Sequence, residues 1–461
     1  MRPVWFAALA LALALPAASV PTPARAQAAA GSPITEKNFK VERHVLDNGL
    51  VVLLHEDHSV PAATFWQWYK VGSRNERPGI TGLSHFFEHM MFNGSKNVPP
   101  KEYDRIIESN GGTSNAFTSR DMTAYFEDIA SDRLGVLFRL DSDRMADLTL
   151  EPEILKSEIE VVKEERRLRT DNSIFGMLDE QMYATAFNAS PYNWPVIGWM
   201  NDLETVGRDD LVAYYRTYYA PNNCILVLAG DFDSAKALQQ IRDAFGDIPS
   251  QPQPPAPVNS EPEQKGERRA KVHYPAQQIT FMGGYKAPPV SDPDHAVLDV
   301  LSSILGDGES SRLHRALVYE KQVALAAGTY YQTSLEPTLF EFYVMMKPGE
   351  TADAGIALVD EVFDKLKTEG PTERELQKAK NLLEAQFVKQ LKTNNGAGQT
   401  LGFFEHVYGD YHRMFTAIDR YKGVTIDDCK RVAQKYFVPT KRTIAEIVPD
   451  DGGAETAQAQ P

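Results

Sequence analysis

The chain has 461 residues, 43% hydrophobic and 24% charged, with 30 glycines, 29 prolines and only two cysteines. Such a length implies more than one domain, and two thiols exclude a four-thiol zinc site. A formal net charge of −15 argues against nucleic acid as a partner and mildly favours neutral or basic peptides over acidic ones.

The chain opens with Arg2, an apolar run over 4–15, Pro16 and an Ala24-Arg25-Ala26 site suited to signal peptidase. Residues 1–26 therefore read as a cleavable export signal, and a mature protein starting near Gln27 is expected in the periplasm or outside the cell. The run is too short for a permanent span, and no later segment approaches ~20 uninterrupted apolar residues, so no membrane anchor is expected. Losing Arg2 and Arg25 makes the mature chain more acidic still.

Asp47-Asn48-Gly49 joins two alternating strands as a hairpin, and a third strand follows over 64–70. Then comes His85-Phe86-Phe87-Glu88-His89, in a helix punctuated by Gly82 and Ser84 ahead and by Asn93-Gly94-Ser95 behind. Residues four apart on a helix are neighbours, so His85 and His89 can grip one ion while Glu88 projects toward it. Neutral imidazoles suit Zn²⁺, which lowers the pKa of a water it holds to about 7, and a carboxylate not spent as a ligand can accept that water's proton. The order H-x-x-E-H is the inverted relative of H-E-x-x-H. Catalytic zinc takes three protein ligands, so a third must come from elsewhere in the chain.

Residues 113–126 form a β-branched and aromatic run broken by Ser119-Arg120-Asp121, which reads as a second hairpin. Glu151-Pro152 opens a charge-dense helix without a breaker up to Thr170. Ile154, Leu155, Val161 and Val162 give it an apolar stripe, and Glu158 and Glu165, seven apart, share another face. Glutamate-rich helices are ordinarily solvated surface, and spacing alone does not choose among these glutamates for the third ligand.

Cys224 lies in a strand-like run and Cys429 in a polar helix some two hundred residues on, each expected to stay a free thiol in its own domain. The Pro-, Gln- and Glu-rich stretch 249–268 reads as a linker between a domain over 38–248 and a second over 269–448, with a disordered tail over 449–461. The strand over 279–286 ends in Tyr285-Lys286, echoing Tyr69-Lys70. Fifteen residues beyond those lysines lie His85 in the first half and Leu301 in the second. If the halves are ancient repeats, the second has lost its metal-binding groups.

Four segments together resemble the pitrilysin-type zinc metallopeptidases, the family of insulysin, the mitochondrial processing peptidase and many half-size bacterial enzymes. They are Val71-Gly72-Ser73-Arg74-Asn75-Glu76, the run from Gly82 through the two histidines to Ser95, Asn110-Gly111-Gly112-Thr113-Ser114-Asn115-Ala116-Phe117-Thr118, and Val161-Val162-Lys163-Glu164-Glu165. The resemblance spans about 41–448 and implies an α+β fold of two similar domains, each a largely antiparallel sheet backed by helices, with only the first binding metal. It implies a third ligand 76 or 77 residues after the second histidine and a supporting glutamate one heptad earlier, which gives Glu165 and Glu158. The position at 77 is Arg166, which cannot ligate a cation. One Zn²⁺ per chain would thus be held by His85, His89 and Glu165, with Glu88 as the base. An extended peptide would add to an edge strand at Asn115 and Ala116 through main-chain hydrogen bonds.

Full-length members of that family carry, in a later domain, an Arg and a Tyr seven residues apart that donate to the developing oxyanion. The corresponding stretch here, near 339–351, has no arginine, and neither Arg312 and Arg315 nor Tyr330 and Tyr331 fit the spacing. The resemblance therefore implies a dimer, with a related subunit supplying the pair. The expected function is zinc-dependent endopeptidase action on peptides or unfolded segments. The alternative is a substrate-binding or structural subunit of a related heterodimeric complex without turnover of its own.

Overall fold

The computed structural model describes residues 34–257 and 260–449. The expected export signal and nearly all of the expected tail lie outside the described residues. Among those described, no helix is long and apolar enough to cross a membrane.

The first sheet contains β1 (Glu42–Val45), β2 (Val51–Glu56), β3 (Ala62–Tyr69), β4 (Thr113–Thr118), β5 (Thr123–Ala130) and β6 (Cys224–Gly230), in the order β1-β2-β6-β3-β5-β4. Only the β2–β6 pairing is parallel. The second contains β7 (Arg268–Tyr274), β8 (Thr280–Ala287), β9 (Ala324–Tyr331), β10 (Thr338–Met346) and β11 (Arg442–Pro449), in the order β7-β11-β8-β10-β9, with only β7–β11 parallel. The last strand of each unit lies between two early ones, β6 between β2 and β3 and β11 between β7 and β8, so the second sheet repeats the first without β1. This is the two-domain α+β architecture expected.

The two hairpins form where the sequence places them. Gly49 takes φ +84° in the turn between β1 and β2, where a Cβ would also press on Asn222. Ser119-Arg120-Asp121 turns β4 into β5. Both cysteines are free and buried, as expected.

β3 is buried along almost its whole length, so both its faces are covered. Phe65 and Tyr69 point into a core with Phe86, Phe87 and Met90 of the helix Leu83–Met90. Trp66 and Trp68 point the other way, toward Ala397, Leu401 and Phe404. Those three belong to the helix Asn394–Tyr408, which comes from the second half of the chain. It approaches through two glycines: a Cβ on Gly402 would lie 2.0 Å from Trp68 Nε1, and one on Gly398 2.6 Å from Trp66 Cδ1. Reciprocally, the helix Ile174–Ala186 of the first half packs Leu178, Met182 and Tyr183 on Met282, Leu339, Ala445 and Ile447 of the second sheet. The halves therefore exchange one helix each, and each sheet's second face is sealed by the other half. Each large apolar side chain buried this way contributes about 1.5–3 kcal/mol.

The junction is also polar. Asp121, in the β4–β5 turn, accepts hydrogen bonds from the Tyr192 hydroxyl at 2.6 Å and the Leu335 N–H at 3.0 Å, and Arg74 pairs with Glu336 at 2.9 Å.

Candidate metal centre

The helix Leu83–Met90 sets its apolar side, Leu83, Phe86, Phe87 and Met90, into the first core, which leaves His85, Glu88 and His89 on the opposite side. It ends three residues before Asn93, earlier than the punctuation Asn93-Gly94-Ser95 suggests. Its N-terminus is held by a residue the sequence does not single out. Glu76 accepts the Gly82 and Ser84 N–H groups, one on each oxygen and both at 2.7 Å, satisfying donors that a helix leaves open. Burial nonetheless pushes the Glu76 carboxyl up to about 8, against those two donors.

The second helix runs Pro152–Arg166, then widens into a π turn over Arg167–Asp171, so the regular α-helix stops short of the expected Thr170. Leu155 and Val162 are its buried apolar face, with Ile154 half-buried. Val161 is 44% exposed, so the expected stripe is narrower than four residues. Positions 155 and 162, one heptad apart, point at the core, while Glu158 and Glu165 point at the metal helix.

The geometry brings His85, His89 and Glu165 together. Glu165 Oε2 lies 3.1 Å from His89 Nε2 and 3.7 Å from His85 Nε2, and the three donor atoms all lie within 4.8 Å of one another. Zinc bonds of about 2.0–2.1 Å at tetrahedral angles separate neighbouring donors by about 3.3 Å, so two nitrogens and one carboxylate oxygen at these spacings fit that ion. Among the described residues this is the one group of three such side chains close enough to hold a metal. Glu158 stands behind His89, accepting from its Nδ1 at 2.8 Å and from Asn93 Nδ2 at 2.7 Å, which turns His89 Nε2 toward the site. Asn93, read only as helix punctuation, thus braces the Glu158 carboxylate.

Electrostatics point to a cation. Burial, then the neighbouring His89, pulls His85 down to about 3, a neutral imidazole ready to ligate. Burial also opposes charge on His89, but hydrogen bonds to Glu158 and Glu165 outweigh it and raise that group to about 9. Glu165 is pushed up by burial and pulled down further by His89 and His85, reaching about 2. The carboxylates around His89 thus favour positive charge beside Glu165, where a divalent ion would sit. Glu88, adjacent, is raised above the ordinary carboxylate range by burial, with the Thr118 hydroxyl opposing.

Asn115 and Ala116 lie on β4, which pairs only with β5 and so forms an edge. The strand abuts the metal helix, with the Thr118 hydroxyl donating to the Ser84 carbonyl at 3.5 Å. Asn115 is exposed, and its side chain accepts the Ala116 N–H at 2.9 Å. The groups weighed for the missing Arg/Tyr pair are mostly engaged elsewhere. Arg312 is spent on Glu375, Arg315 on Glu320, and the Tyr331 hydroxyl on the Pro288 carbonyl, while Tyr330 is 54% exposed on β9.

Residues 51–198 match the family model described as Insulinase (Peptidase family M16), and residues 205–383 match that described as Peptidase M16 inactive domain. A zinc protease of Helicobacter pylori, PqqE, is 33% identical over 89% of this chain and 93% of its own length. The chain belongs to peptidase family M16. The mitochondrial-processing peptidase subunit beta of Lentinula edodes is 26% identical over 86% of this chain and 87% of its own. The crystal structure of a protease from Helicobacter pylori superposes with a TM-score of 0.86 at 32% identity, covering 89% of this chain and all of that one. An M16 peptidase with an inactive second domain fits a chain whose three-donor group lies wholly in its first half.

Proposed function

We propose that this chain is a zinc-dependent endopeptidase acting on peptides or unfolded protein segments. The observation that carries this reading is the convergence of His85, His89 and Glu165 from two helices, with Glu88 one turn from His85 and free of a ligand role. His85 Nε2, His89 Nε2 and Glu165 Oε2 would hold one zinc per chain. When bound, zinc supplies Lewis acidity, polarising water and the scissile carbonyl. Glu88 takes the proton from the attacking water and delivers it to the leaving amine nitrogen, a task suited to a carboxyl that burial makes a better proton acceptor. Glu158 keeps the His89 ring oriented. The edge strand at Asn115 and Ala116 aligns the peptide backbone beside the metal helix.

The N-terminal residues 1–26, read as an export signal, support a periplasmic or secreted location. The lack of any arginine between Arg315 and Arg374 supports a dimer with a related subunit donating the oxyanion-binding pair. A purely substrate-binding or structural subunit is the weaker reading, because such a role needs none of the metal-binding groups. Replacing Glu88→Gln tests the assignment. Zinc content and fold should persist while cleavage of a quenched peptide falls by about 10²–10⁴. Cleavage at the wild-type rate would remove Glu88 from the chemistry.

A further inference from the structure

Three arginines, Arg166, Arg167 and Arg169, follow Glu165 at once, and their guanidinium groups go to three different places. Arg166 is buried, donating to the Gly198 carbonyl at 2.8 Å and pairing with Glu180 at 2.8 Å, which is a packing role. Arg167 pairs with its exposed neighbour Glu164. Arg169 alone meets the metal centre: its guanidinium lies 2.8 Å from Glu165 Oε1, while Glu165 Oε2 faces the imidazoles.

The backbone of Arg169 is fixed even though its side chain is 64% exposed. It sits in the π turn, where the Asn172 N–H reaches the Arg167 carbonyl at 2.8 Å. The following helix closes on it so tightly that a Cβ on Gly176 would stand 2.1 Å from the Arg169 carbonyl oxygen. Single π turns inside helices recur at functional sites. A rigid backbone under an exposed guanidinium places the charge without contributing to the core.

We propose that Arg169 is a positioning residue that occupies one oxygen of Glu165, so that the carboxylate offers the metal only the other. This rests on the peptidase reading given above. A carboxylate free to rotate could chelate with both oxygens and crowd the fourth position that catalytic zinc leaves open for water. Held by Arg169, it binds through one. Glu158 does the same for His89, so two of the three ligands each have a charged partner behind them. An ion pair whose guanidinium is largely exposed adds little to folding, which separates this role from a structural one.

The test compares wild type, Arg169→Gln and Arg169→Lys as purified full-length chains. Apo-protein melting temperature, zinc affinity by competition with a chromophoric chelator, and kcat and KM on a quenched peptide are the readouts. Arg169→Gln should melt with wild type, bind zinc about 10–100-fold more weakly, as is usual when a ligand's orienting partner is lost, and lose kcat with little change in KM. Arg169→Lys should recover part of both. Unchanged zinc affinity and kcat in Arg169→Gln would overturn the proposal and leave the peptidase reading intact. So would a rise in KM alone, which would make the guanidinium a substrate contact, or a loss of apo stability matching the loss of zinc. A wild-type chain that bound no zinc would instead overturn both.

Discussion

The two sheets share one strand order, and in each a helix follows the central antiparallel strand: Leu83–Met90 after β3, His295–Gly306 after β8. In the first half that helix turns one side to the core and keeps His85, Glu88 and His89 for the metal centre. In the second it is apolar on nearly every side, with Val297, Leu298, Leu301 and Leu305 buried, and its His295 lies against the Tyr331 ring and 3.3 Å from Asp299. The same scaffold therefore carries a three-donor group in one copy and packing in the other. Fold alone assigns no activity, and a handful of side chains on one helix decide it.

The sharpest way to break that difference is to remove a ligand. Glu165→Ala or His89→Ala should abolish zinc binding and lower peptide cleavage by at least about 10³, with metal readouts and activity falling together. The second half, which contributes no donor, should keep its fold, as read by circular dichroism. Retained zinc in either variant would place the ion elsewhere.

A smaller effect is expected behind the ligands. Glu158→Ala removes the acceptor that fixes His89 Nδ1 and leaves Asn93 without a partner there, so zinc affinity should fall about 10–100-fold while the chain stays folded. Zinc titration of the apo-protein measures it, and wild-type affinity would contradict the assigned role.

The exchanged helices tie the half that carries the donor group to the half that lacks it, and they can be loosened at their closest approach. Gly402→Val forces a branched side chain against the Trp68 indole, where even a Cβ has no room, and should cost about 1–3 kcal/mol. Chemical denaturation would show it as a lower midpoint. Because that helix covers the back of the metal domain, the variant should lose thermal stability in both halves together. Independent melting of the halves would contradict the reciprocal packing.

The smallest effect lies wholly in the second half and depends on pH. Burial would raise Glu375, but hydrogen bonds from Arg312 and the Thr372 N–H pull it to about 2. A carboxyl lowered in the folded state contributes stability above its unfolded pKa of about 4.5, and that contribution is lost as pH falls from there toward 2. Glu375→Gln cannot titrate, so its stability should drop by on the order of 1 kcal/mol at neutral pH and change less across that acid window. Parallel acid titrations of wild type and variant would reveal the difference. Identical slopes would contradict it.

Much of this is legible in the amino-acid sequence. The hairpin at Asn48-Gly49, the strand before the metal helix and the helix opened by Pro152 all carry local signals, and His85, Glu88 and His89 need only helical spacing to be recognised. Glu165 is different. A heptad of glutamates looks the same on a solvated helix, and only the family resemblance separated it from its neighbours. The braces stayed hidden because each depends on tertiary approach: Asn93 on Glu158 across 65 positions, Glu76 on a helix end it does not belong to, and Arg169 on a π turn the sequence shows as plain helix. The helix exchange left a faint trace in the spacing of Gly398 and Gly402, whose partners Trp66 and Trp68 lie more than three hundred residues earlier.

The central claim is that one ion is clasped between the helices Leu83–Met90 and Pro152–Arg166. Metal analysis of the purified chain by native mass spectrometry, run beside a His85→Ala, His89→Ala, Glu165→Ala triple variant, tests it most directly. The account predicts one zinc per chain in wild type and none in the variant. A wild-type chain without zinc after reconstitution, or a variant that retains it, would contradict the account.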